Sequence, residues 1–483
     1  MNFKSVFAFI MAAAMAPAAA YPDRSDDLKK EAVSWVTAHR TEIEDAAKAV
    51  HGYAEIALTE ERSSAYLAGM LERGGFRLQR GAADMPTAFV ASYGSGRPVI
   101  GILAEFDALP GLSQKGASAV QEPVNPGAPG HGCGHNLFGA GSVGAALALK
   151  AVMEKNRLAG TVKLFGCPAE ETVIGKVYMV KAGVFNGLDA CLNWHPGSKN
   201  EVDIGSNRAL NSFTVTFHGK TAHAAADPWD GRSALDAVEL MDAGVNAMRE
   251  HVKETVRIHY VITDGGKAPN IVPDYARVWY FVRDDSRAGV EDVYARVLKC
   301  AEGAALMTGT TREVSLITGV YNYLPNKTLS AVLDRNLRAL GAPLFTPEEQ
   351  AFARAMEKTL GVKGEGFSTK IEPFEEPKSI SGGSTDASDV SRVVPTTGEM
   401  GVATNPLGSP GHSWAVASSS GSSAGFRGMI TASEVLAASG IDILLDPSIV
   451  EKAKAEFAEK TKGFTYKSPI PDGQKPPVPE RKQ

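Results

Sequence analysis

The chain has 483 residues, of which 44% are hydrophobic and 22% charged, with a formal net charge of −5. So mild a balance gives no electrostatic case for nucleic acid or a membrane surface as a partner, and neither is expected. Cysteines 133, 167, 191 and 300 are too few for a disulfide framework, so hydrophobic cores must hold the fold.

Residues 1–20 have the layout of a secretory signal peptide: Lys4, then the apolar run Val6 to Met15, then Ala18-Ala19-Ala20 at a small-residue cleavage site. That run is too short to span a bilayer as a helix. The mature chain is expected to start near Tyr21 and to be exported, either periplasmic or secreted. Roughly 460 residues remain, more than one core usually serves, so two domains are expected.

From about residue 85 to 205, β-rich runs alternate with Ala/Gly-rich helical runs. The strands are AFVASYG, PVIGILAEFD, TVKLFG and DACLNWH, with helices from about Gly139 and near Lys176 to Ala182. This alternation predicts an α/β domain with a mostly parallel sheet and helices on both faces. Its first part is assigned to residues 21–208. Between 209 and 322 the order changes to β-α-β-β-α-β, with NSFTVTFHG, VRIHYVIT, YARVWYFVR and REVSLITG as alternating strands. That order predicts an inserted ferredoxin-like α+β domain. Residues 323–462 return to α/β texture, with a strand in TTGEMGVAT and helices near Ala424–Ser439 and Pro447–Lys460. The Pro/Lys-rich tail, 463–483, is expected to be disordered or loosely draped.

Reactive side chains collect where strands end. ILAEFDALPG delivers Glu105 and Asp107, FGCPAEE delivers Glu170 and Glu171, and CLNWHPG delivers His195. The ligand crevice of an open α/β sheet lies beyond such carboxyl ends. Cys133 and His135 occupy a loop whose glycines, Gly132 and Gly134, allow close approach, and His412 in SPGHSW also precedes a helix. Cys, His and carboxylate are the donors that suit zinc or manganese. Adjacent Glu170 and Glu171, on an extended segment, would point in different directions. One can then ligate a metal while the other takes a proton from the attacking water.

The CGH, PAEE-type, WHPG-type and late PGHS motifs resemble the M20 metallopeptidases, most closely their amidohydrolase branch. AEFDALPGLSQ, GHGCGHNLFG and SGGSTDASDVSRVVPT resemble that branch's aminobenzoyl-glutamate hydrolase B-subunit group. The resemblance implies a zinc-peptidase-like catalytic domain carrying two divalent ions, Zn or Mn. Cys133 would be shared between them, with His135, Glu171, His195 and His412 as the other ligands. Glu170 would be the general base activating a metal-bound water. Glu105 stands where other M20 enzymes have a metal-binding His, and Asp107 would orient a ligand. The inserted domain would be a lid and homodimer interface. His223 would reach the partner subunit's site and help polarise the scissile carbonyl, while Asn270 and Arg283 would contact substrate carboxylate and oxyanion. The implied activity is cleavage of an N-acyl or N-aroyl amino acid or a short peptide such as a dipeptide.

Other readings compete. Gly139-Ala-Gly141-Ser-Val-Gly144 suggests a dinucleotide fingerprint but follows a loop rather than a strand. Gly421-Ser-Ser-Ala-Gly425 fits a nucleophile elbow, yet no histidine follows His412. A thiol hydrolase using Cys133 with His135, and a non-catalytic binder of N-acyl amino acids or peptides, are the remaining alternatives.

Overall fold

The computed structural model describes residues 21–376 and 380–479. The signal-like residues 1–20 lie outside the described residues. Three helices come first: α1 (Tyr21–Ala38), α2 (Arg40–Tyr53) and α3 (Glu61–Arg73). Leu28, Ala32 and Val36 of α1 recur at helical spacing and are buried. This face packs on two helices described below, α4 (His135–Asn156) and α12 (Ser423–Leu445).

The main sheet holds β1 (Arg77–Arg80), β2 (Phe89–Ser95), β3 (Val99–Glu105), β4 (Gly160–Cys167) and β5 (Ala190–Leu192) in the order β1-β2-β4-β3-β5. β3 runs parallel to β4 and β5, whereas β2 is antiparallel to both β4 and β1. The sheet is therefore mixed, where strand–helix alternation predicts a mostly parallel one. Only Gly96 to Pro98 separates β2 from β3, far too little for a crossover, so these strands must run in opposite directions. β4, carried back by α4, then inserts between them. β3 is buried at every position from Ile100 to Glu105, as a strand covered on both faces must be.

DACLNWH, read as one strand, breaks at Asn193. β5 ends at Leu192, and β6 (Trp194–Gly197) belongs to a second sheet, β6-β12-β7, with β7 (Glu201–Asp203) and β12 (Glu399–Ala403). β8 (Ala209–His218), β9 (Arg257–Asp264), β10 (Tyr275–Asp284) and β11 (Thr311–Val320) form a third sheet, β11-β8-β10-β9, with every pairing antiparallel. Two helices, α6 (Ala234–Met248) and α7 (Arg287–Thr308), pack on this sheet and share a core separate from the main one. The strict in–out alternation of β10 marks a sheet with one covered face.

The remaining helices are α5 (Gly175–Lys181), α8 (Lys327–Leu340), α9 (Pro347–Leu360), α10 (Ala387–Ser391), α11 (Trp414–Ser420), α12 and α13 (Pro447–Lys460). α4 and α12 are long and apolar enough to cross a membrane, but both are buried inside the protein and pack on each other. The described part of the tail is draped and well anchored rather than disordered. Ile470 is buried, Tyr466 Oη donates to Asp389, and the Gln474 amide donates to the Leu316 carbonyl of β11.

The glycines after His135 are packing positions. A Cβ at Gly139 would lie 2.7 Å from the Glu105 carbonyl oxygen, and one at Gly141 would lie 2.9 Å from the Trp194 ring. At Gly144 the contact is with Ile43 of α2, at 2.7 Å. The run thus seats α4 against β3, β6 and α2, and cradles no nucleotide. Gly139→Ala meets unyielding backbone, so it is expected to destabilise the protein by about 1–3 kcal/mol. Denaturant unfolding checks this, and an unchanged midpoint would contradict the packing account.

Candidate metal centre

Cys133 and His135 flank the start of α4. Gly134 between them has φ +82°, in the left-handed region that favours glycine, and this turn sets both side chains facing inward. Glu170 and Glu171 follow β4 in a tight turn, not in the extended segment expected. Ala169 and Val173 both have positive φ there, a strained state for residues with a Cβ. Three hydrogen bonds hold the turn: Val173 N–H to the Glu170 carbonyl (2.6 Å), Ala169 N–H to Glu60 Oε1 (2.9 Å) and Glu171 N–H to Asp107 Oδ2 (2.9 Å). The two glutamates still diverge. Glu170 Oε2 lies 4.0 Å from His135 Nε2, and Glu171 Oε2 lies 3.4 Å from His412 Nε2. His195 stands in β6, and His412 sits at φ +50° on the loop before α11.

These residues converge on Cys133 in two groups. Cys133, His135 and His195 form one, and Cys133, Glu171 and His412 the other, with the donor atoms of each group within 4.8 Å of one another. Cys133 Sγ is 3.5 Å from His195 Nε2. Asp107 is buried beneath them, and its Oδ1 accepts from His135 Nδ1 at 2.9 Å. One carboxylate thereby orients His135 and, through the Glu171 N–H, the other group as well.

The electrostatics match a site built for cations. Burial alone would raise the Cys133 thiol, but His195 and His135 hold it well below the usual range. Against the opposing effect of burial, Cys133 pushes His195 up to about 10. Burial, with Glu105 and Asp386 nearby, pushes Glu170 up to about 8, and burial with the Cys133 charge pushes Glu171 up to about 10. His135 Nε2, Glu171 Oε1 and Glu105 Oε2 are buried without a hydrogen-bond partner. Orphaned buried donor atoms and a stabilised thiolate fit two divalent ions, with a sulfur, nitrogen and oxygen donor set suited to zinc or manganese.

The other expected residues lie outside these groups. His223 is exposed, and its Nδ1 accepts from the Ala225 and Ala226 N–H groups. Asn270 is its neighbour, since the Asn270 carbonyl accepts from Ala224 N–H and His223 bridges to Ile271. Arg283 of β10 is half-buried and donates to Ser384 Oγ at 3.0 Å. His131 Nε2 donates to the Val50 carbonyl and is structural. Cys167 is buried, its thiol pushed up to about 12 by burial. In the elbow-like run, Ser422 caps α12 and Ser423 Oγ donates to Glu349, so neither is set up as a nucleophile.

Sequence reasoning missed Lys176, Asp386 and Glu60. Lys176 is fully buried and ion-paired with Glu105 and Asp386. In GKVYM it looks like an ordinary lysine in the first turn of a helix, with only its closeness to the Glu pair as a signal.

The profile described as Peptidase family M20/M25/M40 matches residues 101–416. The chain is 37% identical over 464 residues to the B subunit of p-aminobenzoyl-glutamate hydrolase from Escherichia coli (strain K12), covering 90% of this chain and 96% of that protein. The fold is shared with a putative aminohydrolase from methicillin-resistant Staphylococcus aureus (TM-score 0.61, 17% identity, 86% of this chain and 100% of that one). It is also shared with a dinuclear metal-binding peptidase of the M20 family from Bacillus subtilis (TM-score 0.55, 19% identity, 84% and 99%). The chain belongs to the M20/M25/M40 peptidase family.

Proposed function

We propose that this protein is a two-metal amidohydrolase that cleaves the amide joining an acyl or aroyl group to an amino acid or short peptide. The observation that carries the reading is the single Cys133 thiolate common to two donor groups, with the Glu170 carboxyl beside them. Cys133, His135, Glu171, His195 and His412 would hold the ions. Bound there, divalent ions would acidify the attacking water and polarise the amide carbonyl. Glu170 takes the water's proton as it attacks, then returns that proton to the leaving amine. Asp107 keeps His135 and Glu171 in place throughout.

Substrate contacts come from the four-stranded unit, read as lid and dimer interface. Its β9 is an edge strand with Tyr260, Val261 and Ile262 exposed, which supports pairing with a second copy. His223, with Asn270 beside it, would then complete the partner's site, and Arg283 would bind the substrate carboxylate as a planar fork. The Escherichia coli relative is named for p-aminobenzoyl-glutamate, so aroyl-amino acids of that kind are the first substrates to try. Export, directed by residues 1–20, belongs to the same proposal.

The lowered Cys133 thiol beside His195 favours one second reading, a thiol hydrolase. It leaves Glu170, Glu171 and His412 without work. Chelation should abolish hydrolysis of N-acyl amino acids, and Zn²⁺ or Mn²⁺ should restore it. Activity that survives chelation but is lost on thiol alkylation would instead support the Cys nucleophile. Glu170→Gln should lower kcat by about 100- to 10,000-fold while metal content holds, and near-normal turnover would remove Glu170 from its role. Asp107→Asn should cost about 10- to 100-fold in metal affinity or activity, which metal titration and steady-state kinetics together would detect.

A further inference from the structure

Three buried charged residues border the metal centre without a part in the reaction above. Lys176 Nζ is ion-paired with Glu105 Oε1 at 2.7 Å and with Asp386 Oδ1 at 2.5 Å, and all three side chains are essentially buried. Asp386 also accepts from the Lys176 backbone N–H, through Oδ2 at 2.7 Å, so it grips both main chain and side chain. Gly175 makes this approach feasible, because a Cβ there would lie 1.8 Å from the Pro168 carbonyl oxygen. The start of α5 is thereby pressed against the turn that carries Glu170.

One ammonium facing two carboxylates leaves a negative charge uncompensated, and burying such a charge is costly unless something offsets it. The remaining charge has a definite place. Glu105 Oε2 is buried without a hydrogen-bond partner and lies 3.3 Å from His135 Nε2, which is also buried and unpartnered. Asp107 takes up the Nδ1 side of the His135 ring, so Nε2 is the ring atom turned toward Glu105. Two buried polar atoms without partners, facing each other at this distance, mark a place where one bound cation would be shared by both. Glu105, His135 and Glu170 do form a third donor group, whose atoms lie within 4.8 Å of one another and which meets the first group at His135.

We propose that Glu105 is a further donor to the ion held by His135, and that Lys176, gripped by Asp386, is the positioning residue that presents it. The inference rests on the two-metal reading above. Lys176 engages one Glu105 oxygen and leaves the other facing His135, so the carboxylate can offer the ion one oxygen.

Apo full-length protein titrated with Co²⁺ against a chromophoric chelator tests this, with the visible spectrum of bound Co²⁺ read at each step. Glu105→Gln keeps the side-chain shape and leaves Lys176 and Asp386 as a neutral pair. It should bind one of its two Co²⁺ ions about 10- to 100-fold more weakly, with that ion's spectrum altered and the other ion's affinity unmoved. Lys176→Met should show the same spectral change, and Lys176→Arg should restore the wild-type spectrum. Unchanged affinities and spectrum in Glu105→Gln would overturn the proposal and leave the two-metal reading standing. Weaker binding with an unaltered spectrum would overturn it too, since that is the mark of a structural effect alone. Wild-type protein that takes up no Co²⁺ would overturn both.

Discussion

Negative charge crowded into a dry pocket is the constraint around which the centre is organised. Glu105, Asp107, Glu170, Glu171, Asp386 and the Cys133 thiolate meet where the strands end, and Lys176 is the one buried lysine in their midst. Burial and neighbouring negative charge push three of the carboxyls up, Asp386 to about 7, Glu170 to about 8 and Glu171 to about 10. Imidazolium charge on His135 and His195 relieves the thiolate in part. Two divalent ions, as proposed, would supply the missing positive charge without carrying protons that the reaction would have to displace. Bound ions would therefore also stabilise the fold around such a cluster.

The scaffold must hold these groups in place against repulsion, and local strain shows how. Ala169, Val173 and His412 all have positive φ beside the centre, each costing on the order of 1–3 kcal/mol. Buried acids secure one of these turns: Glu60 accepts from Ala169 N–H, and Asp107 accepts from Glu171 N–H. α4 is fixed behind the site by small-residue contacts with β3, β6 and α2, so His135 and Asp107 stay in register. Packing energy in the core is thus converted into precision at the centre.

The residues that converge were legible in the sequence because chemistry limits which side chains can serve as metal donors. Cys133, His135, Glu171, His195 and His412 end up in two groups sharing Cys133, and Asp107 sits beneath them. Strand and helix order in residues 209–322 was legible for a different reason, since alternation in β10 and helical spacing in α6 are local patterns. Sheet direction was not, because the position of β4 between β2 and β3 is a long-range pairing with no local signature. The turn at Glu170 was also hidden, as it depends on Glu60 and Asp107, which are 109 and 64 residues from their partners. Lys176 was invisible for the same reason, because its counter-charges lie on β3 and just before α10.

Whether Cys133 is shared by two ions can be measured directly. Purified wild-type protein and Cys133→Ser, each reconstituted with Zn²⁺ or Mn²⁺ and desalted, would be compared by elemental metal analysis beside circular dichroism. The account predicts two ions per wild-type chain and depletion of both in the folded variant, since both groups lose a donor. A folded Cys133→Ser protein that keeps two ions per chain would contradict it.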